Sequence, residues 1–282
     1  MENPRLIRKR IQSVKNIRKI TKALEMVSAS KVRSSQSKAK AGKPYAMKVY
    51  ELVSQLSGKA EGEKIDLFER GKGKKKLYVL VSTNRGLCGS LNTNLFRKVL
   101  ADTNDTAKEE RLFITVGKKS RSFAILNGQL LADFSDLTKE ACLSAVISLV
   151  LDEFRKDTVC EVYVIYSDFI NALMQKPTLK KLLPVSRDNV ASQYAGSLVY
   201  LFEPGAKQVL ETMLPFYLEV QLREAFLESE ASEHSARMLA MKSASENAQN
   251  LSQALTLVYN EVRQQAITDE IADVTRAMEV MS

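Results

Sequence analysis

Residues 244–262, with the sequence ASENAQNLSQALTLVYNEV, carry apolar side chains in alternating steps of four and three. That spacing is the seven-residue repeat of a coiled coil. Extended in both directions, the pattern predicts one helix over residues 207–282, on the order of 100 Å long at about 1.5 Å per residue. Such a helix must pack on a second long helix, on partner chains, or on both. The predicted seam residues are Ala244, Ala248, Leu251, Leu255, Val258 and Val262.

The amino terminus supplies a second long helix. Residues 5–41 contain neither proline nor glycine, and their apolar residues are spaced by three or four. Gly42 and Pro44 are typical of residues just beyond a helix end, so we expect the helix to stop near Ala41, although residues 43–56 could continue as helix after this break. Two long helices at opposite ends of one chain predict an antiparallel coiled coil. Its amino-terminal seam is predicted to include Ile7, Ile11, Val14 and Leu24.

Between the two helices, short strands alternate with helices. This order is typical of an α/β layer with a mostly parallel sheet, so we predict a small Rossmann-like domain. The predicted domains are 1–56, 57–206 and 207–282. Strands are predicted over residues 77–81, 112–116 and 159–166, weaker ones over 179–185 and 198–202, and helices over 93–100, 118–126 and 139–155.

Charge is distributed unevenly in a chain of 282 residues with a net charge of +9. Residues 1–48 carry a net charge of +12, whereas residues 207–282 carry −6. The two helices can therefore attract each other, and the remaining positive charge suits an acidic protein partner. Nucleic acid is the other partner that such a charge favours. However, no aromatic residue precedes Tyr45 to stack on bases.

Motifs for catalysis or cofactor binding are incomplete. The turn containing Gly86 and Gly89 lacks the spacing of a dinucleotide-binding loop, and the segment from Gly117 to Ser120 does not complete a phosphate-binding loop. The single histidine, His234, is predicted to lie on the surface. The three cysteines form no metal-binding or disulfide pattern and are predicted to be reduced. We therefore predict no catalytic residue, no metal and no cofactor. An enzyme built on the α/β domain is kept as an alternative hypothesis.

Several stretches, in the same order along the chain, resemble the gamma subunit of F-type ATP synthase. The first is ITKALEMVSASK and the second is the turn RGLCGSLN. The matching stretches are residues 20–31, 85–92, 202–204, 235–242 and 259–270. Because these matches run in order from one end of the chain to the other, the resemblance covers essentially the whole chain, and the joint specificity of the matches is high.

The resemblance implies a central rotor shaft that couples proton flow to ATP synthesis. Its implied partners are three alpha and three beta subunits, the epsilon subunit and the ring of c subunits, with membrane attachment only through that ring and no nucleic acid. It implies a non-catalytic subunit on the cytoplasmic side of a bacterial cell membrane, with ATP chemistry on beta. By residue match it also implies that Arg237, Gln264 and Thr268 contact a loop of beta. A basic coiled-coil protein that binds nucleic acid is the alternative.

Two features depart from the family pattern. Ala277 and Met278 stand where the family usually has a Gly-Ala pair, so packing at the carboxyl-terminal tip is expected to differ. Leu24 replaces a more usual methionine, which is a mild change in volume. No cysteine insertion of the redox-regulated kind is present in the sequence.

Overall fold

A computed structural model describes residues 4–59, 65–104, 106–185, 202–203 and 205–281. By their contacts the residues divide into two compact units. The helical unit comprises Met1–Ala29 and Arg237–Ser282, and the α/β unit comprises Ser30–Ala236. Among the described residues, no helix is both long enough and apolar enough to span a bilayer.

The α/β unit is built on a five-stranded sheet with the order β3-β2-β1-β4-β5. Strands β1 to β4 run parallel, and β5 pairs antiparallel with β4. The strands are β1 (Lys75–Val81), β2 (Arg111–Val116), β3 (Gln129–Asp133), β4 (Val159–Phe169) and β5 (Gln175–Leu183). The helices are α1 (Pro4–Lys59), α2 (Leu91–Thr103), α3 (Arg121–Asn127), α4 (Lys139–Arg155) and α5 (Ala206–Met281).

Side chains alternate between the two faces of the sheet, which is why each face has its own apolar core. In β1, Leu77, Val79 and Val81 enter the larger core, with α4 and with parts of α1 and α5. Tyr78 and Leu80 enter the smaller core beneath α2 and α3. The parallel sheet is thus covered by helices on both faces, as its nearly continuous apolar strands require.

Within the α/β unit, α1 and α5 run antiparallel. The Tyr50 hydroxyl donates a hydrogen bond to Glu224 at 2.6 Å, and the Tyr50 ring packs edge-on against Tyr217. Lys38 precedes Tyr50 by twelve residues on α1, and its ammonium group interacts electrostatically with the Glu230 carboxylate on α5. As residue numbers increase along α1, the residues that lie near them on α5 have decreasing numbers. The two helices are therefore antiparallel here, as predicted.

The predicted end of the first helix near Ala41 is wrong, since α1 continues through Gly42 and Pro44 to Lys59. Beyond the proline, Ala46, Val49, Val53 and Leu56 are buried in the larger core. Proline removes one helical hydrogen bond, but packing along the next four turns holds the helix together. The α5 helix likewise continues through Pro215. The predicted strand over 198–202 lies, apart from its last residue, outside the described residues.

Candidate functional site

Within the helical unit, the two terminal helices lie side by side. One surface cleft is lined from α1 by Leu6 and Val14 and from α5 by Leu251 and Leu255. Ile7, Ile11 and Val14, predicted as seam residues, are buried. Ala248 is also buried, whereas Leu24, Ala244, Leu255 and Val262 are half-buried.

Part of the predicted α5 seam is wrong. Leu251 is 52% exposed and Val258 is 39% exposed, so neither faces inward. Ser245 and Ser252 are buried instead, each one residue after a predicted seam residue. A seven-residue repeat is kept, but half of it is occupied by small hydroxyl side chains. Small side chains let two helices approach closely, so the inward face could not be identified from hydrophobicity alone.

A basic groove borders this seam. Its α1 side is lined by Lys15, Arg18, Lys19 and Lys22, and its α5 side includes Gln249, Ser252, Gln253 and Thr256. Lys22 forms an ion pair with Glu25 of its own helix at 2.9 Å. The groove therefore offers clustered positive charge opposite neutral hydrogen-bonding side chains, which favours an acidic partner surface.

The three residues assigned from the family resemblance do not form one site. Gln264 and Thr268 are exposed and one turn apart, and the Thr268 hydroxyl donates to the Gln264 carbonyl oxygen at 2.9 Å. Arg237 is only 8% exposed. It precedes Gln264 by 27 positions, which is about 40 Å of helix. Arg237 therefore lies too far from the pair Gln264–Thr268 to form one site with it.

The turn after β1 uses its polar groups internally. The Asn92 side-chain amide donates to the Thr83 hydroxyl at 2.8 Å and to the Cys88 sulfur at 3.5 Å. The backbone amide of Lys118 donates to the Asn84 side chain, and that of Lys119 donates to the Thr83 carbonyl oxygen. A phosphate at this edge of the sheet would need the backbone amides of Lys118 and Lys119, which follow β2. Because these amides donate to Asn84 and Thr83, they hold the turn after β1 in place.

Two predictions about reactive side chains have different outcomes. His234 is 8% exposed, so its predicted surface position is wrong. It lies 3.7 Å from Glu230, one helical turn earlier on α5. The three cysteines are free thiols, as predicted, and all are buried. In the part of the chain that the structure describes, no group of three His, Cys, Asp or Glu residues is placed to hold a metal ion.

A carboxylate cluster lies where α5 crosses the end of β4. Burial, followed by the neighbouring Asp168 carboxylate, raises the pKa of Glu228 to about 7. Glu224 acts in the same direction, while a hydrogen bond with Tyr166 and the charge of Lys180 oppose it. Glu228 thus binds its proton more tightly in the folded chain than in the unfolded chain, where its pKa is near 4.5.

We expect Glu228→Gln to stabilise the chain at high pH. The folded pKa is raised, so the stability that protonated Glu228 contributes is fully present below pH 4.5 and is lost as pH rises to about 7. At pH 8 the variant should gain about 2–3 kcal/mol of unfolding free energy, and at pH 5 it should gain little. Urea unfolding at both pH values measures this. Glu246→Gln, at an exposed position on the same helix, should show no such pH-dependent gain; an equal gain in Glu228→Gln at pH 5 and 8 would contradict the assignment.

Comparison with known proteins identifies the chain. Residues 3–281 match the protein family described as ATP synthase. The ATP synthase gamma chain of Chloroflexus aurantiacus is 40% identical, with 97% of both chains covered. The gamma chain of Methylacidiphilum infernorum is 38% identical over the full length of both.

Two solved structures agree with this fold. In the Euglena gracilis mitochondrial ATP synthase, a chain of the OSCP/F1/c-ring assembly matches with a TM-score of 0.67 at 20% identity, covering 99% of this chain and 94% of that one. A chain of the Tetrahymena thermophila mitochondrial ATP synthase central stalk and c ring matches with a TM-score of 0.56 at 26% identity, covering 80% and 99%. The fold, the full-length coverage and the level of identity place this chain in the ATP synthase gamma chain family.

Proposed function

We propose that the chain is the central rotor shaft of a proton-driven ATP synthase. The observation that carries this proposal is the pairing of Met1–Ala29 with Arg237–Ser282, in a chain whose remaining residues form an α/β unit. A related chain that is 26% identical belongs to a structure of a central stalk with its c ring. Paired helices resist twisting better than a single helix, so they suit a part that transmits torque.

The proposed partners are three alpha and three beta subunits around the helical unit, with epsilon and the c ring against the α/β unit. Rotation of the c ring turns the shaft, and the unequal faces of the shaft favour a different state of each catalytic subunit. Contact with the membrane runs only through the c ring, on the cytoplasmic side of a bacterial cell membrane.

The proposed shaft performs no ATP chemistry itself. The polar groups at the ends of β1 and β2, where a nucleotide would bind in such a sheet, donate to acceptors of the chain. Bond formation and cleavage are assigned to the beta subunits. The contribution of this chain is mechanical, through conformational change that controls binding and release.

We propose two kinds of contact with beta. The basic groove beside Lys15, Arg18 and Lys19 suits acidic segments that pass it during rotation, because charge acts at a distance without a locked pair. Gln264 and Thr268, exposed on one face of α5, suit a direct polar contact with a loop of beta. Arg237 is proposed to act at a separate level of the shaft.

We expect Gln264→Ala combined with Thr268→Ala to reduce ATP hydrolysis by the assembled complex about three- to tenfold. Both side chains are exposed, so their loss should change the unfolding free energy of the chain by less than about 0.5 kcal/mol. Asn247→Ala combined with Asn250→Ala changes exposed polar residues of the same helix and is the matched control. Normal hydrolysis in the Gln264–Thr268 variant would remove these residues from the proposed contact.

Native purification of the tagged chain tests the function as a whole. We expect three alpha and three beta subunits to copurify, with ATPase activity in the complex and none in the chain alone. Recovery of the chain alone, or with nucleic acid in a salt-dependent manner, would overturn the shaft proposal.

A further inference from the structure

The first turn of α4 holds both terminal helices within the α/β unit. The Lys139 ammonium donates to the Ser229 hydroxyl at 3.0 Å and lies 3.7 Å from the Glu233 carboxylate, both on α5. The next residue, Glu140, accepts a hydrogen bond from Lys38 of α1 at 2.6 Å. Two neighbouring residues of opposite charge thus bind two different helices.

The loop between β4 and β5 holds the same part of α5. The Ser235 hydroxyl donates to the Ala172 carbonyl oxygen at 2.7 Å, and Ser235 is fully buried. The loop itself is closed by paired backbone hydrogen bonds between Asn171 and Met174. The Asn171 side chain accepts two further backbone hydrogen bonds, from Leu173 and Met174. Ser235 therefore donates to a loop that is held closed by its own hydrogen bonds.

The two attachments lie on opposite sides of α5. Successive residues of an α-helix are rotated by about 100°. Ser229 and Glu233 are therefore separated by about 40° around the axis, whereas Ser235 is about 160° from Glu233. Contacts on opposite sides of one helix resist both its rotation about its own axis and its displacement sideways. We name Lys139, Ser229, Glu233, Ser235 and Ala172 the collar.

Apolar packing does not supply this resistance here. Between Ser229 and Arg237 the only buried apolar side chain is Ala231. The other buried side chains of the segment are polar: Ser229, Ser232, Glu233, His234, Ser235 and Arg237. Directional polar contacts therefore set the orientation of this segment, whereas apolar contacts set it at Leu222 and Phe226.

Lys139 is the strongest element of the collar. Its side chain is 12% exposed and that of Glu233 is 11% exposed, whereas Lys38 and Glu140 are 49% and 59% exposed. Burial lowers the pKa of Lys139, and the charges of Glu233 and Glu230 oppose this shift. A buried ion pair holds its two side chains in place, because separating two buried charges is strongly unfavourable. An exposed ion pair contributes little to stability.

We propose that the collar is a torsion clamp that prevents α5 from turning about its own axis against the α/β sheet under load. This role rests on the proposed shaft function, because torque that enters at the α/β unit must leave it through the terminal helices. Lys139 is accordingly a positioning residue for rotary coupling, acting through Glu233 and Ser229.

The test uses the complete ATP synthase carrying Lys139→Met. We expect amide hydrogen exchange in residues 229–236 to become about tenfold faster. The ratio of protons pumped to ATP hydrolysed should fall several-fold, while ATP hydrolysis itself persists. Lys139→Arg keeps the charge and should restore both readouts. Lys156→Met, just beyond the other end of α4, replaces a lysine whose side chain is 64% exposed and lies 3.5 Å from Glu153, and it should leave both unchanged.

Ser235→Ala provides a second, milder variant in case Lys139→Met does not assemble. It removes only the hydrogen bond to Ala172, and it should shift exchange and coupling in the same direction by smaller factors. Unchanged exchange, or faster exchange with unchanged coupling, in either variant would overturn the clamp. Failure of the unmodified chain to assemble with alpha and beta would instead overturn the shaft function, so the two failures are distinguishable.

Discussion

Gly117→Ala is expected to lower the unfolding free energy of the chain by about 3–5 kcal/mol. Gly117 follows β2 with a φ of +104°, a conformation that residues with a Cβ atom rarely adopt. A Cβ atom at this position would lie 2.4 Å from the Ser82 carbonyl oxygen and 2.8 Å from the Ser82 hydroxyl. Both the backbone conformation and the close approach therefore oppose the substitution.

The Ser82 contact cannot relax easily, because Ser82 is held by its neighbours. Its amide donates to the Val116 carbonyl oxygen, and its hydroxyl bonds with Ser120 at 2.9 Å. Urea unfolding measures the effect, and Gly42→Ala is the matched control. Gly42 lies in the interior of α1, and apart from the adjoining helix backbone and its chain neighbours nothing lies within 4 Å of an added Cβ. The control should gain about 0.5–1 kcal/mol, and a loss below 1 kcal/mol in Gly117→Ala would contradict the steric argument.

The fold was predictable from sequence where periodicity and length agree. The helix predicted over 139–155 coincides with α4, and the alternating strands and helices predicted the α/β class correctly. The third strand of the sheet, β3, was missed. It is a short strand at the edge of the sheet, its five residues contain no β-branched side chain, and none of them is fully buried. Neither composition nor alternation marked it as a strand.

Errors arose where tertiary packing overrides a local signal. Gly42 and Pro44 are strong helix-ending residues, yet the buried face from Ala46 to Leu56 carries α1 past them. In the seam, hydrophobicity favoured Leu251 and Val258, whereas Ser245 and Ser252 are buried. The rule that apolar residues lie inside fails here because small side chains, which fit between two packed helices, occupy the buried positions.

The candidate contacts were less accessible from sequence. Gln264 and Thr268 are exposed polar residues on a helix with many others, so only the family resemblance selected them. The pairing of Lys139 with Glu233 joins residues 94 positions apart. No local pattern relates their charges. Such pairs become visible only when the fold has placed α4 against α5.

Leu222→Ala is expected to destabilise the chain by about 2–5 kcal/mol, because it removes a fully buried side chain and leaves a cavity. Leu222 belongs to the larger core, which also contains Val53 of α1 and Val164 of β4. Surrounding helices and sheet restrict the collapse that would otherwise fill the space. The cavity should therefore persist, and urea unfolding should show a lower midpoint with little change in slope.

Leu257→Ala on the same helix is the matched control, because it distinguishes the effect of lost burial on the unfolding free energy from the effect of changed helix propensity. Leu257 is 72% exposed, so the identical substitution should change the unfolding free energy by no more than about 0.5 kcal/mol. Equal losses in the two variants would mean that α5 is stabilised by its own helix propensity and not by the core. A large loss in Leu222→Ala alone would place the anchorage of α5 in the α/β core. In that case the apolar core around Leu222 and Phe226 and the polar collar at residues 229–235 hold neighbouring segments of α5 within the α/β unit.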